Sequence, residues 1–284
     1  MTLCGKRMTY VNGVLRDPVS LTQLCLHFTY GMSNKTRHDY KAEAFESKRK
    51  ADATNYQFIR EKILEDRNPT KVYKVVSLPG PYPTWEENLE KAIPKAKFEF
   101  HGVESDTNTW VAMVGSFAAK PDNYIACEYN ERSLEDFIRA HRDFQADIVY
   151  GDFTNGSSDK EWELYRLMKD YNFLAEDAII MHTIHLRRDS SKNLTLDVEK
   201  FRNVRFDKSV MDKLCDVIFA EGEHNGSLMD MGKPYTAIPK VTYKRLKKAG
   251  IIVEIKSAII YRTRKNPASP SPMIQILCQR EKDS

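Results

Sequence analysis

The chain lacks several features that would assign it to a simple class. None of its apolar runs approaches the roughly 18 residues that a membrane helix needs, and its first residues show no apolar stretch followed by a small-residue cleavage site. The five cysteines are scattered without a CxxC spacing, which disfavours a disulfide framework and a zinc site. We therefore expect an intracellular protein, in the cytoplasm or the nucleus, with no membrane partner and no bound metal.

Charge is present but unevenly distributed. Residues 1–50 carry nine Lys and Arg against four acids, and residues 233–265 carry ten against one, although the net charge is only +4. Two basic segments around an acidic middle are typical of a protein that meets a polyanion; a solvated lysine surface would give the same pattern. We expect nucleic acid as a partner, whereas the oligomeric state is not readable from the sequence.

Apolar runs and helical patterns alternate with regularity from residue 72 onwards. Five such units in series predict an α/β fold, a Rossmann-like, mostly parallel sheet with helices on both faces. The last third breaks this rhythm, because a basic helix stopped by Gly250 is followed by two β-type runs around a Pro/Ser-rich segment. These runs predict a C-terminal antiparallel hairpin at the end of the sheet. The predicted strands cover 72–78, 98–103, 124–127, 146–150, 178–186, 251–263 and 273–279.

The helical signals divide the chain into two parts. Residues 1–69 are predicted to form a basic N-terminal arm and a helix over 51–66, and residues 70–284 to form the α/β domain. A Ser or Thr followed three residues later by an acid predicts a capping box at a helix start. Such pairs begin at Thr84, Ser133 and Ser158.

A turn and two acids are predicted to lie on one rim of the sheet. The turn over 78–81 follows the first strand, and Glu104 and Asp106 follow the second. In open α/β sheets ligands bind outside the carboxyl ends of the strands, and Glu104 stands 24 residues after Gly80, near the roughly 20 expected of a ribose-binding acid. The alternative is an ordinary tight turn with an exposed strand end.

The five βα units, the terminal hairpin and the acids closing strands two and four resemble the class I S-adenosylmethionine-dependent methyltransferases, over roughly residues 70–280. The resemblance implies S-adenosylmethionine as cofactor, with its ribose on Glu104 or, as a fallback, Asp106. It also implies that the segment after strand four faces the methyl acceptor. Methyltransferase-like sequences with this pattern and few glycines are similar to those that viral and phage genomes carry. The implied cofactor residues are Leu78, Pro79, Gly80, Pro81, Glu104 and Asp106, and the implied catalytic residues are Asp152, Phe153 and Asn155.

Several residues allow more than one role. Asp152 can align or deprotonate an acceptor, or it can cap the loop before the next helix. His182 and His185 stand three apart on a strand and point to opposite faces, so one should be buried and structural. The residues predicted to contact phosphates are Arg187, Arg188, Lys244, Arg245, Lys247 and Lys248.

Two functions from different classes follow. The first is a methyltransferase-like protein acting on or bound to nucleic acid. The second is a non-catalytic nucleic-acid- or partner-binding protein with a degenerate methyltransferase fold, which the single glycine of the turn at 78–81 supports. A small-molecule enzyme is a third reading, which the basic segments weaken.

Overall fold

The computed structural model describes part of the chain. The sequence also predicts a helix at about 209–220. This helix, the capping residue Ser158 and most of the N-terminal arm lie outside the described residues. Near the N-terminus, Thr2–Leu3 pairs with Lys6–Arg7, and Tyr10–Val11 pairs with Val14–Leu15. The described residues are 2–3, 6–7, 10–11, 14–15, 42–66, 68, 70–152, 159–185, 242–243, 245–262 and 272–281.

Helices and strands alternate as the sequence predicts. A short 3-10 turn at Tyr129–Glu131 precedes the fourth helix, and helical residues 242–243 and 245–248 precede the sixth strand. The main elements are α1 (Ala42–Asp66), β1 (Val72–Ser77), α2 (Thr84–Ala92), β2 (Lys97–Gly102), α3 (Thr107–Ala118), β3 (Tyr124–Ala126), α4 (Leu134–Ala140), β4 (Ala146–Asp152), α5 (Asp159–Asp170), β5 (Leu174–His185), β6 (Val253–Arg262) and β7 (Pro272–Arg280).

These seven strands form one sheet in the order β3-β2-β1-β4-β5-β7-β6. Strands β1 to β5 pair in parallel, and β7 is antiparallel to both of its neighbours. The predicted Rossmann-like fold with a C-terminal antiparallel hairpin is confirmed. One detail differs: the antiparallel strand does not end the sheet, because β7 enters between β5 and β6 and leaves β6 at the edge, parallel to β5.

The strand order places the helices on two faces. The chain moves outwards from β1 to β3 and then returns past β1 to β4 and β5, so right-handed crossovers put α2 and α3 on one face and α4 and α5 on the other. Strands buried on both sides have apolar residues in succession, as at Val75 and Val76. The order reverses between β1 and β4, and such a switch point opens a crevice at the carboxyl ends of the strands.

Helix α1 is longer than predicted, starting at Ala42 rather than at residue 51. Residues 42–50 show no apolar period but are rich in Ala, Glu, Lys and Arg, whose intrinsic propensity favours helix. Further along, Tyr56 and Ile59 belong to the same apolar core as the sheet. The division at residue 69 stays a prediction, although α1 packs on the sheet like the other helices.

Ion pairs fasten the end of α1 at the amino-terminal edge of the sheet. The Lys71 ammonium lies 3.1 Å from the Asp66 carboxylate and 3.0 Å from that of Asp147, and the Tyr73 hydroxyl donates to Asp66 at 3.0 Å. Lys71 and Tyr73 thereby lower the pKa of Asp66. These groups also line a surface cleft, but their charges are already paired with one another, so we assign the cleft a structural role.

Two of the predicted capping boxes lie within the described residues, and one is correct. Ser133 accepts a hydrogen bond from the Asp136 backbone nitrogen at 3.0 Å and caps α4. The prediction for Thr84 is wrong, because α2 already includes Thr84, and Pro83 occupies the cap position without a side-chain bond. Its acid partner, Glu87, instead accepts from the Lys120 ammonium at 2.5 Å.

Gly102 closes β2 where helix α3 packs directly on the strand. A Cβ atom built at Gly102 would lie 2.6 Å from the Phe117 ring and 3.0 Å from the Met113 sulfur. Both side chains are buried and cannot swing out. Only a residue without a side chain fits there. Glycine at this position therefore allows α3 to pack close to the strand.

We expect Gly102→Ala to lower the free energy of unfolding by about 1–3 kcal/mol, as overpacked cores do. Urea denaturation measures the loss. Adding Phe117→Leu to the same chain removes the clashing ring, so the double variant should lose less than the sum of the two single losses. Strict additivity would show that Phe117 is not the obstacle.

Candidate active site at the carboxyl edge of the sheet

The structure brings the predicted turn, acids and Asp152 to one edge. The Leu78 nitrogen donates to the Tyr150 carbonyl at 3.1 Å, joining the ends of β1 and β4, and the Val103 nitrogen donates to the Ser77 carbonyl at 2.9 Å. The carboxyl ends of β1, β2 and β4 therefore lie side by side, at the switch point of the sheet. Of the other predicted site residues, Phe153, Asn155, Arg187, Arg188 and Lys244 lie outside the described residues.

The turn at 78–81 depends on its glycine for backbone conformation. Gly80 has a φ of +66°, in the left-handed region that side chains disfavour. No atom of the described residues lies within 4 Å of a Cβ built there, so these residues leave the space above the turn open. The Ser116 hydroxyl donates to the Pro81 carbonyl at 3.0 Å and fixes the turn to α3.

The two acids after β2 differ in what they do. Asp106 caps α3: its Oδ1 accepts from the Thr109 nitrogen and hydroxyl, both at 2.8 Å, and these bonds lower the pKa of Asp106. Glu104 accepts one bond through Oε1, from the Asp106 nitrogen at 2.8 Å, and burial raises its pKa. Asp106 is therefore occupied as a helix cap, whereas Glu104 has a second oxygen for a ligand hydroxyl, and its role in cofactor binding stays a prediction.

At the end of β4, Asp152 forms an ion pair with Lys48 of α1. The two side chains are 23% and 29% exposed, so this pair is at the surface of the site. Sequence reasoning missed Lys48 because it stands 104 residues before Asp152. A signal was present: Lys48, Asp52 and Tyr56 recur every four residues, which places them on one face of a helix.

Behind this ion pair lies a group that we name the lysine–carboxylate cluster: Lys48, Asp52, Glu86 and Asp152. Asp52 is 5% exposed and Glu86 is fully buried. The Gln275 amide nitrogen donates to Asp52 at 2.8 Å. Within the described part of the chain, neither carboxylate oxygen of Glu86 has a hydrogen-bond partner, and the buried Ser77 hydroxyl lacks one too.

Burial controls the protonation of the inner carboxyls. It raises the pKa of Asp52 to about 6, against the opposing effect of the Lys48 ammonium and the Gln275 amide. It raises the pKa of Glu86 to about 7, with Ser77 and Lys48 acting in the opposite direction. Near neutral pH these carboxyls can therefore take up or release a proton, which is the property a general acid or base requires.

Aromatic rings form the wall beside the cluster. The Trp85 and Tyr150 ring centroids are 4.5 Å apart, and those of Tyr56 and Trp85 are 5.7 Å apart. The Tyr56 hydroxyl donates to the Trp85 carbonyl at 3.0 Å, which fastens α1 to α2. The Lys48 ammonium lies 5.6 Å from the Tyr150 ring centroid, a cation–π distance.

The predicted basic helix lies at the opposite edge. Leu246 is buried, Arg245 is half-buried, and Lys247 and Lys248 are exposed, so the two lysines face outwards. Gly250, with a φ of +80°, ends the helix as predicted and leads into β6.

The first residue of β6 pairs with Arg280, whose guanidinium donates to the Leu174 carbonyl at the start of β5. Lys247 and Lys248 are therefore near the amino ends of the strands. A seven-residue strand such as β4 spans about 20 Å, which separates them from Asp152.

His182 is buried within the core of the sheet. It bonds to the Tyr165 hydroxyl at 3.2 Å, and burial lowers its pKa to about 4, so it is a neutral structural residue as expected.

The described side chains contain no group of three or more His, Cys, Asp or Glu suited to a metal ion. None of the described helices has the length and apolar character needed to cross a membrane.

Comparison with known proteins finds weak structural likenesses. No family model matches the sequence, and no curated protein matches it. Among solved structures, the plantazolicin methyltransferase BamL, in complex with a triazolic desmethylPZN analog and SAH, has a TM-score of 0.47 and 10% identity, over 93% of this chain and 97% of its own.

Two further structures are similar at the same level. M. jannaschii TYW2, in complex with AdoMet, has a TM-score of 0.42 and 14% identity over 87% of this chain and 80% of its own. A SAM-dependent methyltransferase from Agrobacterium tumefaciens has a TM-score of 0.41 and 9% identity over 81% and 61%. At these values the likeness says nothing about activity, and none of the three names indicates a virus or phage.

We expect Glu86→Gln to stabilise the protein at high pH. Because burial raises the folded-state pKa of Glu86 from 4.5 to about 7, the folded protein retains a proton that the unfolded chain has released, and stability falls as pH rises through this window. The glutamine variant escapes that loss, so its advantage should grow by about 2–3 kcal/mol between pH 5 and pH 8.

Urea denaturation at the two pH values measures the effect, and the exposed Glu128→Gln is the matched control. An advantage for Glu86→Gln that does not change with pH would show that the buried carboxyl does not titrate in this range.

Proposed function

We propose that this chain is an S-adenosylmethionine-dependent, methyltransferase-like protein with its cofactor site at the carboxyl edge of the sheet. The observation that carries the proposal is the architecture: five parallel βα units continue into a hairpin whose last strand enters antiparallel between β5 and β6. The five units and the terminal hairpin are what the resemblance to class I methyltransferases implies, whereas the place of β7 between β5 and β6 is not part of that expectation. Ligands of such sheets bind at the switch point between β1 and β4.

The residues at this edge fit the cofactor. The backbone over Gly80 is open, and Ser77 directly before the turn has a buried hydroxyl without a partner among the described residues. Glu104 uses Oε1 for a local bond, and we assign Oε2 to the ribose hydroxyls. The cofactor, when bound, would supply an activated methyl group. Asp152, at the end of β4, would then face the acceptor beside Lys48.

Glu104→Ala should weaken binding of S-adenosylmethionine by about 1–3 kcal/mol, because a carboxylate acceptor is lost from a half-buried position. Isothermal calorimetry on the wild type and the variant measures the change. The neighbouring Asp106→Ala is the matched control: it removes a helix cap, costing about 1 kcal/mol of stability, but should leave cofactor affinity nearly unchanged.

Absence of binding to the wild type at millimolar cofactor would remove the methyltransferase proposal. The alternative, a binding protein with a degenerate methyltransferase fold, would then take its place; the single glycine between two prolines at 79–81 favours that alternative.

We also propose nucleic acid as a partner, held by the basic segments. Support comes from the excess of ten basic residues over one acid in 233–265 and from the outward position of Lys247 and Lys248. Since these lysines lie near the amino ends of the strands, a nucleic acid bound there would not reach Asp152 without crossing the depth of the sheet. The geometry therefore favours attachment to nucleic acid over phosphate recognition next to the acceptor.

Replacing Lys247 and Lys248 with Gln should weaken binding to RNA or DNA of any sequence. It should also flatten the slope of log affinity against log salt by about 1–2, because each neutralised phosphate releases counterions. Fluorescence anisotropy over a salt series measures the slope. Lys91→Gln with Lys95→Gln removes the same charge from two exposed positions elsewhere. Equal slopes for both double variants would remove these two lysines from the binding surface.

A further inference from the structure

The lysine–carboxylate cluster holds more negative than positive charge. It contains the carboxyls of Asp52, Glu86 and Asp152, and among the described residues the ammonium that accompanies them is that of Lys48. Lys48 bonds to Asp152, the most exposed of the three acids. The two inner carboxyls therefore lack a cation of their own.

The inner part of the cluster also contains buried polar atoms without a partner. Both oxygens of Glu86 and the Ser77 hydroxyl have none in the described part of the chain, although both residues are at most 1% exposed. The Ser77 hydroxyl can donate to one Glu86 oxygen, which leaves the other oxygen without a donor. Buried polar atoms are satisfied in most proteins, so a ligand for this oxygen should donate a hydrogen bond, and positive charge on the ligand would offset the ionised carboxylate.

The surrounding rings suit an alkylammonium group. The tilted rings of Tyr150 and Trp85 pack against each other at one side, with Tyr56 against Trp85. Aromatic faces attract ammonium groups, and the Lys48 ammonium already lies over the Tyr150 ring. Lys48 thus shows the position that a free amine would occupy, between a ring and a carboxylate.

We infer that the lysine–carboxylate cluster is a binding site for the primary ammonium group of an organic amine, with Lys48 as the resident cation that the ligand displaces. The inference goes beyond the proposed function and does not require the cofactor. It also fits the position of the basic helix, since an acidic site would repel phosphate at this edge. The groups facing the site are Lys48, Asp52 and Tyr56 on α1, Ser77 on β1, Glu86 on α2, Tyr150 and Asp152 on β4, and Gln275 on β7.

The test is calorimetry of the full chain with n-butylamine, without cofactor, at pH 6 and pH 8. Butylamine is charged at both values, whereas the carboxyls of Asp52 and Glu86 lose protons as the pH rises past about 6 and about 7. Affinity should therefore be several-fold higher at pH 8. n-Butanol, which has the same chain length and no charge, should not bind.

Three variants separate the site from a general surface effect. Glu86→Gln should lower amine affinity at pH 8 by about tenfold or more, as loss of a buried charge partner does. Lys48→Met should raise the affinity, because it removes the competing ammonium. Lys62→Met removes a lysine that pairs with Asp177 at the amino edge, and it should change nothing.

Each outcome bears on the inference in one direction. Butanol binding as tightly as butylamine, an affinity that does not depend on pH, or weaker binding to Lys48→Met would overturn it. Failure of amine binding with intact S-adenosylmethionine binding would leave the proposed function standing and remove this site. If Lys48→Met does not fold, the ratio of the wild-type butylamine affinities at pH 8 and pH 6 decides alone.

Discussion

The buried hydrogen bond from the Asn55 amide nitrogen to the Gln275 amide oxygen, at 2.6 Å, joins residues 220 positions apart. It connects α1, before the first strand, with β7, the last strand of the sheet. Gln275 also donates to Asp52, and its nitrogen lies 3.5 Å from the Tyr150 hydroxyl. An unsatisfied buried amide is costly, so α1 has one stable register on the sheet, and that register decides which of its side chains meet Asp152.

The position of α1 determines the electrostatics of the carboxyl edge. Without Lys48, Asp152 would be a strand-end acid with no ion-pair partner among the described residues. Without Asp52, the cluster would hold fewer buried carboxyls. Helix α2 adds Glu86 from the opposite side, and its preceding turn leads directly from β1. The low dielectric of the interior strengthens each of these interactions. Proton-exchanging groups therefore lie where a ligand of an α/β sheet binds, and the exposed lysines lie at the far edge.

Much of this arrangement could be predicted from the chain alone. The alternation of apolar runs and helical patterns predicts β1 to β5 and their helices, since strand and helix periods depend on local sequence. The approximate places of the turn at 78–81, of Glu104 and of Asp152 follow from the same reasoning, because parallel strands end at a common edge. The cap at Ser133 and the stop at Gly250 are also local, and both are found.

Other features depend on contacts that no local pattern contains. The place of β7 between β5 and β6 is decided by packing across the sheet. Asp106 and Glu104 share a loop, yet only the tertiary structure distinguishes the helix cap from the acid that is available to a ligand. The local sequence around Lys48, Asp52 and Glu86 gives no sign that these charged side chains are buried. Their burial, and with it the chemistry of this edge, arises because side chains distant along the chain must satisfy one another once water is excluded.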